Sequence, residues 1–156
     1  MSYITGMVLT QVDATALFLL GSIGMDSDGK KYKYITYSEE AAAVDGVAGE
    51  VCYYVAATGY ANNDVTSDLS ASNEVGAGVL QAALSDNEFG WIQVTGHAIL
   101  TIALTVETDG ANLTPTGAGD GTLDVIDITS VTTANKNVCA VAADASAKGI
   151  VCDFAH

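Results

Sequence analysis

Residues 88–105 read EFGWIQVTGHAILTIALT, and the reading of this stretch decides the fold class. Over 90–95, Ile92 and Val94 fall on one face and Trp91 and Gln93 on the other. Strict alternation marks a strand, because successive side chains leave opposite faces of the pleat. Gly96 supplies either a hairpin turn or a bulge. From His97 the alternation resumes, with Ala98, Leu100, Ile102, Leu104 and Val106 on one face and Thr101, Thr105 and Glu107 on the other. Trp91, Ile92, Val94, Gly96, Leu100, Ile102 and Leu104 are therefore expected to form a strand pair serving as a rigid scaffold.

The text on either side agrees. YKYITY (32–37) is dense in β-favouring residues, and EVCYYVAA (50–57) is semi-apolar on both faces, as a strand covered on both sides would be. VGAGVLQAAL (75–84), TLDVIDITSV (122–131) and GIVCDF (149–154) read as further strands, and NVCAVAADASA (137–147) as a small-residue strand or a short turn of helix. In SEEAAAVDG (38–46), Ser38 is placed to cap a helix of one or two turns, with Glu39 and Glu40 in its first turn and Gly46 closing it. Residues 59–74 and 110–121 are rich in turn formers and read as long loops. Strands at this even spacing imply a single-domain, all-β antiparallel sandwich or barrel over 29–156, jelly-roll-like, with at most short helices. Residues 1–28 are apolar without a sustained period. They are read as an extended arm that packs outside its own domain, or else as two ordinary N-terminal strands.

Composition narrows the function. The chain has 156 residues, five lysines, no arginine and 19 acids, for a net charge of −14. Five scattered lysines cannot neutralise a phosphate backbone, so nucleic acid is excluded as a partner, and an anionic membrane surface would repel the chain. The apolar run 14–24 is about half a bilayer span and has no basic residue before it, so neither a membrane span nor a signal peptide is expected. Cys52, Cys139 and Cys152 are read as free thilos of a reducing cytoplasm, with a Cys139–Cys152 bridge as the alternative. No catalytic, metal or cofactor signature emerges. GSIG (21–24) has the wrong spacing for a nucleophile elbow. GAGDGT (117–122) lacks the Lys-Ser/Thr of a phosphate loop. DSDG (26–29) begins like a calcium loop, but its twelfth position is Tyr37, so it reads as a turn. His97, after a turn glycine, reads as a surface or structural histidine.

Three stretches resemble one protein type. LGSIGMDSDGKKYKYI (20–35) is similar to the opening of small virion proteins of tailed phages, and VGAGVLQAAL with FGWIQVTGHAILTI resembles their central stretch. NVCAVAADASAKGIVCDF resembles their closing elements, with Asn137 where those proteins carry glycine. The resemblance implies a capsid decoration, or cement, protein that binds the major capsid protein on the outside of the head. It implies a non-enzymatic, homo-oligomeric virion component made in the host cytoplasm, with a trimer the first expectation and a dimer the second. Tyr3, Ile4, Met7, Val8, Leu9, Leu17 and Phe18 would then be capsid or oligomer contacts. The rival reading is an extracellular carbohydrate-binding β-sandwich whose platform is the cluster Tyr32, Tyr34, Tyr37, Tyr53, Tyr54 and Tyr60. A hydrolase using two carboxylates is a third.

Overall fold

The computed structural model describes residues 3–57, 59–127, 129 and 137–155. The chain is all-β, in two sheets. The first holds β1 (Ile23–Met25), β2 (Lys31–Tyr37), β3 (Val51–Val55), β4 (Asp64–Thr66), β5 (Ser72–Leu80) and β6 (Phe89–Gln93). The second holds β7 (Thr95–Ile99), β8 (Asn112–Thr114), β9 (Asp124–Val125), β10 (Ala140–Asp144) and β11 (Gly149–Asp153).

β2 is the hub of the first sheet. One edge pairs antiparallel with β6, where Tyr34 lies opposite Trp91. The other edge takes β1 at Lys31–Lys33 and β4, in parallel, at Thr36 and Tyr37. Because β4 continues through β3 and β5 to β6, the β2–β6 pairing closes a ring of five strands, β2-β4-β3-β5-β6. Closure leaves the ring without free edges. The second sheet is open, in the order β7-β11-β10-β8-β9. Both sheets feed one core. Ile35, Val65, Leu80, Ile92 and Val94 come from the first, and Ala98, Leu113, Ala140, Ile150 and Cys152 from the second. All five residues of β3 are buried, so both of its faces are covered, as its two-sided apolar text requires. Cys52, Cys139 and Cys152 are free and buried.

Several expectations are corrected. β6 and β7 do not pair with each other: β6 bonds to β2 and β5, and β7 bonds to β11. The chain changes sheets between them. Val94 donates its N–H to Lys31 O (2.9 Å) and accepts from Phe154 N–H (3.0 Å), one bond to each sheet. Gly96 makes neither a hairpin turn nor a bulge, since it lies inside β7 in unbroken register opposite Cys152. Its φ of +90° turns the chain, and a Cβ there would stand 2.9 Å from Lys30 Cγ. The strand expected over 97–106 stops at Ile99, although Leu100 and Leu104 are buried in the core. Beyond Ile99 the backbone bonds to loops instead of a ladder: Thr101 N–H to Gly49 O and Thr105 N–H to Leu123 O. Ile102 is half-buried and Val106 exposed.

The loop expected at 59–74 is organised, with a one-turn helix α1 (Gly59–Asn62), then β4, and then a 3-10 turn, Leu69–Ala71, that is capped by Asp68. β8 likewise lies inside the loop expected at 110–121. The strand expected at 122–131 is reduced to β9, with 128 and 130–131 outside the described residues. Ser38 caps no helix, because its hydroxyl donates to Asp64 Oδ1 at 2.7 Å; the turn there is a 3-10 turn, Glu40–Ala42.

Candidate interaction surface

Alternation along β2 and β6 sends Tyr32, Tyr34 and Trp91 out of the main core, onto the outer face of the ring. Left bare, these rings would form a large apolar patch. The N-terminal segment covers them with Ile4, Met7, Leu9, Phe18 and Leu20. Phe18 is the centrepiece, 5.2 Å from Tyr34 in an edge-to-face contact and 5.4 Å from Trp91.

The segment is tied down by backbone bonds at both ends and the middle. Ile4 N–H donates to Ile23 O (3.0 Å) and Met25 N–H to Ile4 O (3.1 Å). Asp13 and Phe89 exchange two backbone bonds of 3.0 and 2.9 Å. Gly21 N–H reaches Tyr34 O at 2.8 Å. Gly24 allows the close crossing over β1, since a Cβ there would lie 2.1 Å from Met7 Sδ.

Asp13 adds a side-chain clip. Tyr34 donates its hydroxyl proton to Asp13 Oδ2 at 2.6 Å and accepts Leu17 N–H at 3.2 Å, while Gln11 Nε2 donates to Asp13 Oδ1 at 2.7 Å. Burial, with the carboxylate as a second cause, pushes the Tyr34 phenol up to about 12.

The segment's other side faces solvent. Over 17–20 the side chains alternate, with Phe18 and Leu20 against the sheet while Leu17 (60% exposed) and Leu19 (85%) point out. Val8 and Val12 of the same segment are also exposed. The expected contacts therefore divide. Val8 and Leu17 are outward, whereas Ile4, Met7, Leu9 and Phe18 are held against the protein's own sheet. Tyr3 is half-buried, its ring 5.7 Å from Lys31 Nζ. Leu19, Val12 and Asp13 went unnoticed in the sequence. The signal for Asp13 was there, as the only charge in the first 25 residues.

The tyrosine platform is contradicted. Tyr32, Tyr34, Tyr37, Tyr53 and Tyr54 are at most 3% exposed, and only Tyr60 of that cluster reaches solvent. Tyr54 instead accepts a hydrogen bond from the buried Lys33 ammonium at 2.9 Å, and desolvation holds the Lys33 pKa below the ordinary lysine value. In the DSDG turn, Asp26 Oδ1 accepts from the N–H groups of Asp28 and Lys30, so this carboxylate closes the turn. His97 is exposed.

No protein-family model matches the chain, and no curated protein or solved structure matches it.

Proposed function

We propose that this protein is a non-enzymatic capsid decoration protein that attaches to the major capsid protein on the outer surface of a phage head and stabilises contacts between capsid subunits. The observation that carries the reading is the exposure of Val8, Val12, Leu17 and Leu19, apolar side chains on a segment that a buried clip and an aromatic cluster hold in place. Exposed leucines held on a pinned backbone give up little conformational freedom on docking, because the segment is ordered beforehand. The sequence resemblance to small virion proteins supports the same reading. The charge of −14 makes a neutral or basic partner surface the fitting one. Assembly as a trimer, with a dimer second, follows from the prevalence of closed symmetric oligomers, and a symmetric lattice would multiply weak contacts through effective concentration.

Co-sedimentation with expanded shells of the cognate capsid protein tests this. Saturable binding at a fixed ratio to the capsid subunit is expected, and a Leu17→Ser/Leu19→Ser variant, altered only on exposed side chains, should lose it. Folded protein that leaves intact shells undecorated would overturn the proposal.

A further inference from the structure

β7 is the edge of the second sheet, paired with β11 on one side only. Bonded and non-bonded pairs alternate along an antiparallel ladder. Leu100 N–H bonds to Lys148 O at 2.9 Å and Phe154 N–H to Val94 O at 3.0 Å, which fixes the even-numbered residues as those bonded toward β11. Thr95, His97 and Ile99 therefore turn their backbone groups the other way.

Most of that edge is plugged from within. Gln93 Nε2 donates to Thr95 O (3.1 Å) and His97 O (3.0 Å), and Thr101 N–H donates to Gly49 O (2.9 Å). Between the plugs, the N–H of His97 and both the N–H and C=O of Ile99 have no partner among the described residues. They border a cavity of about 470 Å³ whose lining includes Lys30, Leu80, Gln81, Gln93, His97 and Thr101.

The charge at this cavity runs against the rest of the molecule. Acids outnumber lysines 19 to 5 in the chain, yet no acid lines the cavity and Lys30 does. Lys148 stands at the rim, its ammonium donating to Thr101 O at 2.8 Å. The His97 imidazole leans the other way, over β11, with Nε2 3.1 Å from where a Cβ on Gly149 would stand, so Lys30 is the charged side chain lining the cavity. An exposed edge residue that offers both backbone groups is the template for one more strand. A cationic, acid-free cavity beside it fits a carboxylate on that strand.

We propose that this cavity binds a short extended peptide segment of a partner, which adds a strand to β7 opposite Ile99 and places a carboxylate side chain by Lys30. The site lies between the β7 edge of the second sheet and β5 and β6 of the first, and the inference does not rest on the capsid reading.

The test titrates the isotope-labelled protein with acetyl-Val-Glu-Val-amide and follows its amide spectrum at near-physiological salt, where the protein's overall negative charge is screened. Two control peptides carry Gln in place of Glu, or a methyl group on the nitrogen of the central residue. The Glu peptide should shift the His97 and Ile99 amides saturably. The Gln peptide should bind up to about fivefold more weakly, the range of a solvent-exposed ion pair. The methylated peptide, unable to complete the ladder, should not bind there. Lys30→Met should bring the Glu and Gln peptides to equal affinity. Absence of shifts at His97 and Ile99 at millimolar peptide, equal binding of the Glu and Gln peptides to the unaltered protein, or undiminished binding of the methylated one would each overturn the proposal. The peptide comparison uses unaltered protein, so it decides the matter even where Lys30→Met fails to fold.

Discussion

Replacing Tyr34 by Phe removes one oxygen and cuts two bonds. Asp13 Oδ2 loses a donor at 2.6 Å and Leu17 N–H loses its acceptor, while the ring contacts with Phe18 and Trp91 remain. Asp13 is 8% exposed, so water does not freely replace the lost donor. A buried hydrogen bond to a charged group contributes about 1.5–3 kcal/mol, so a loss of about 2 kcal/mol is expected, a sizeable share of the ~5–15 kcal/mol that holds an ordinary domain. Trp91, the only tryptophan, lies beneath the segment, so its emission reports both unfolding and detachment of the segment. Urea titrations followed by Trp91 emission should show the midpoint falling for Tyr34→Phe and comparably for Asp13→Asn. The double variant should be clearly less destabilised than the sum of the two, because both changes break one shared bond. A Tyr34→Phe midpoint within about 0.5 kcal/mol of the parent, together with additive effects in the double variant, would falsify the idea that this clip holds the segment.

Three other outcomes follow from the buried groups. Burial raises the phenols of Tyr32, Tyr34, Tyr37, Tyr53 and Tyr54. The unfolded chain therefore gives up these protons first, as it does those of the three buried thiols, which ionise from about pH 8.5 once exposed, so stability should be whole below about pH 8, begin to fall above it and fall steeply from about pH 10 toward 12; a stability that stays flat across that window in urea titrations would refute the burial argument. Desolvation also raises all three thiols, Cys152 to about 12, so an aromatic disulfide reagent should label none of them in native protein and all three in denaturant. Lys33 is a buried amine whose ammonium meets the Tyr54 phenol and the ring faces of Tyr54 and Tyr60, so Lys33→Met should leave the urea midpoint unchanged or higher, and a loss above about 2 kcal/mol would show that its bond to Tyr54 outweighs its desolvation.

Strands β2, β3 and β6 of the first sheet were legible because their residues alternate or are apolar on both faces. YKYITY became β2, and the two-sided EVCYYVAA became the fully buried β3. The same alternation misled beyond Ile99. It records which side chains are buried, and Leu100 and Leu104 are buried, but a strand also needs a neighbour for its backbone, and there the neighbour is loop. Pairing was illegible for a related reason. Nothing local in GWIQVTGHA tells that Val94 bonds once to each sheet, since its two partners, Lys31 and Phe154, lie about 60 residues away on either side. The 59–74 stretch was hidden by its turn-forming residues, which do form turns, around a β4 of only three residues.

The N-terminal segment was the hardest to read because its two sides have different tasks. An apolar run with no period gives no strand or helix, yet in an extended chain each successive residue still changes side. Over 17–20, where the backbone bends and turns, burial alternates all the same: Phe18 and Leu20 pack in the cluster of Trp91 and Tyr34 while Leu17 and Leu19 stay exposed. A segment apolar only on its inner side would be a plain cover, and one without Phe18 and the Asp13 clip would lose its position along with its outer leucines. The strength of the inner contacts therefore sets how well ordered the outer side chains are, and under the proposed capsid-binding role Tyr34→Phe should weaken co-sedimentation with capsid shells without altering an exposed side chain.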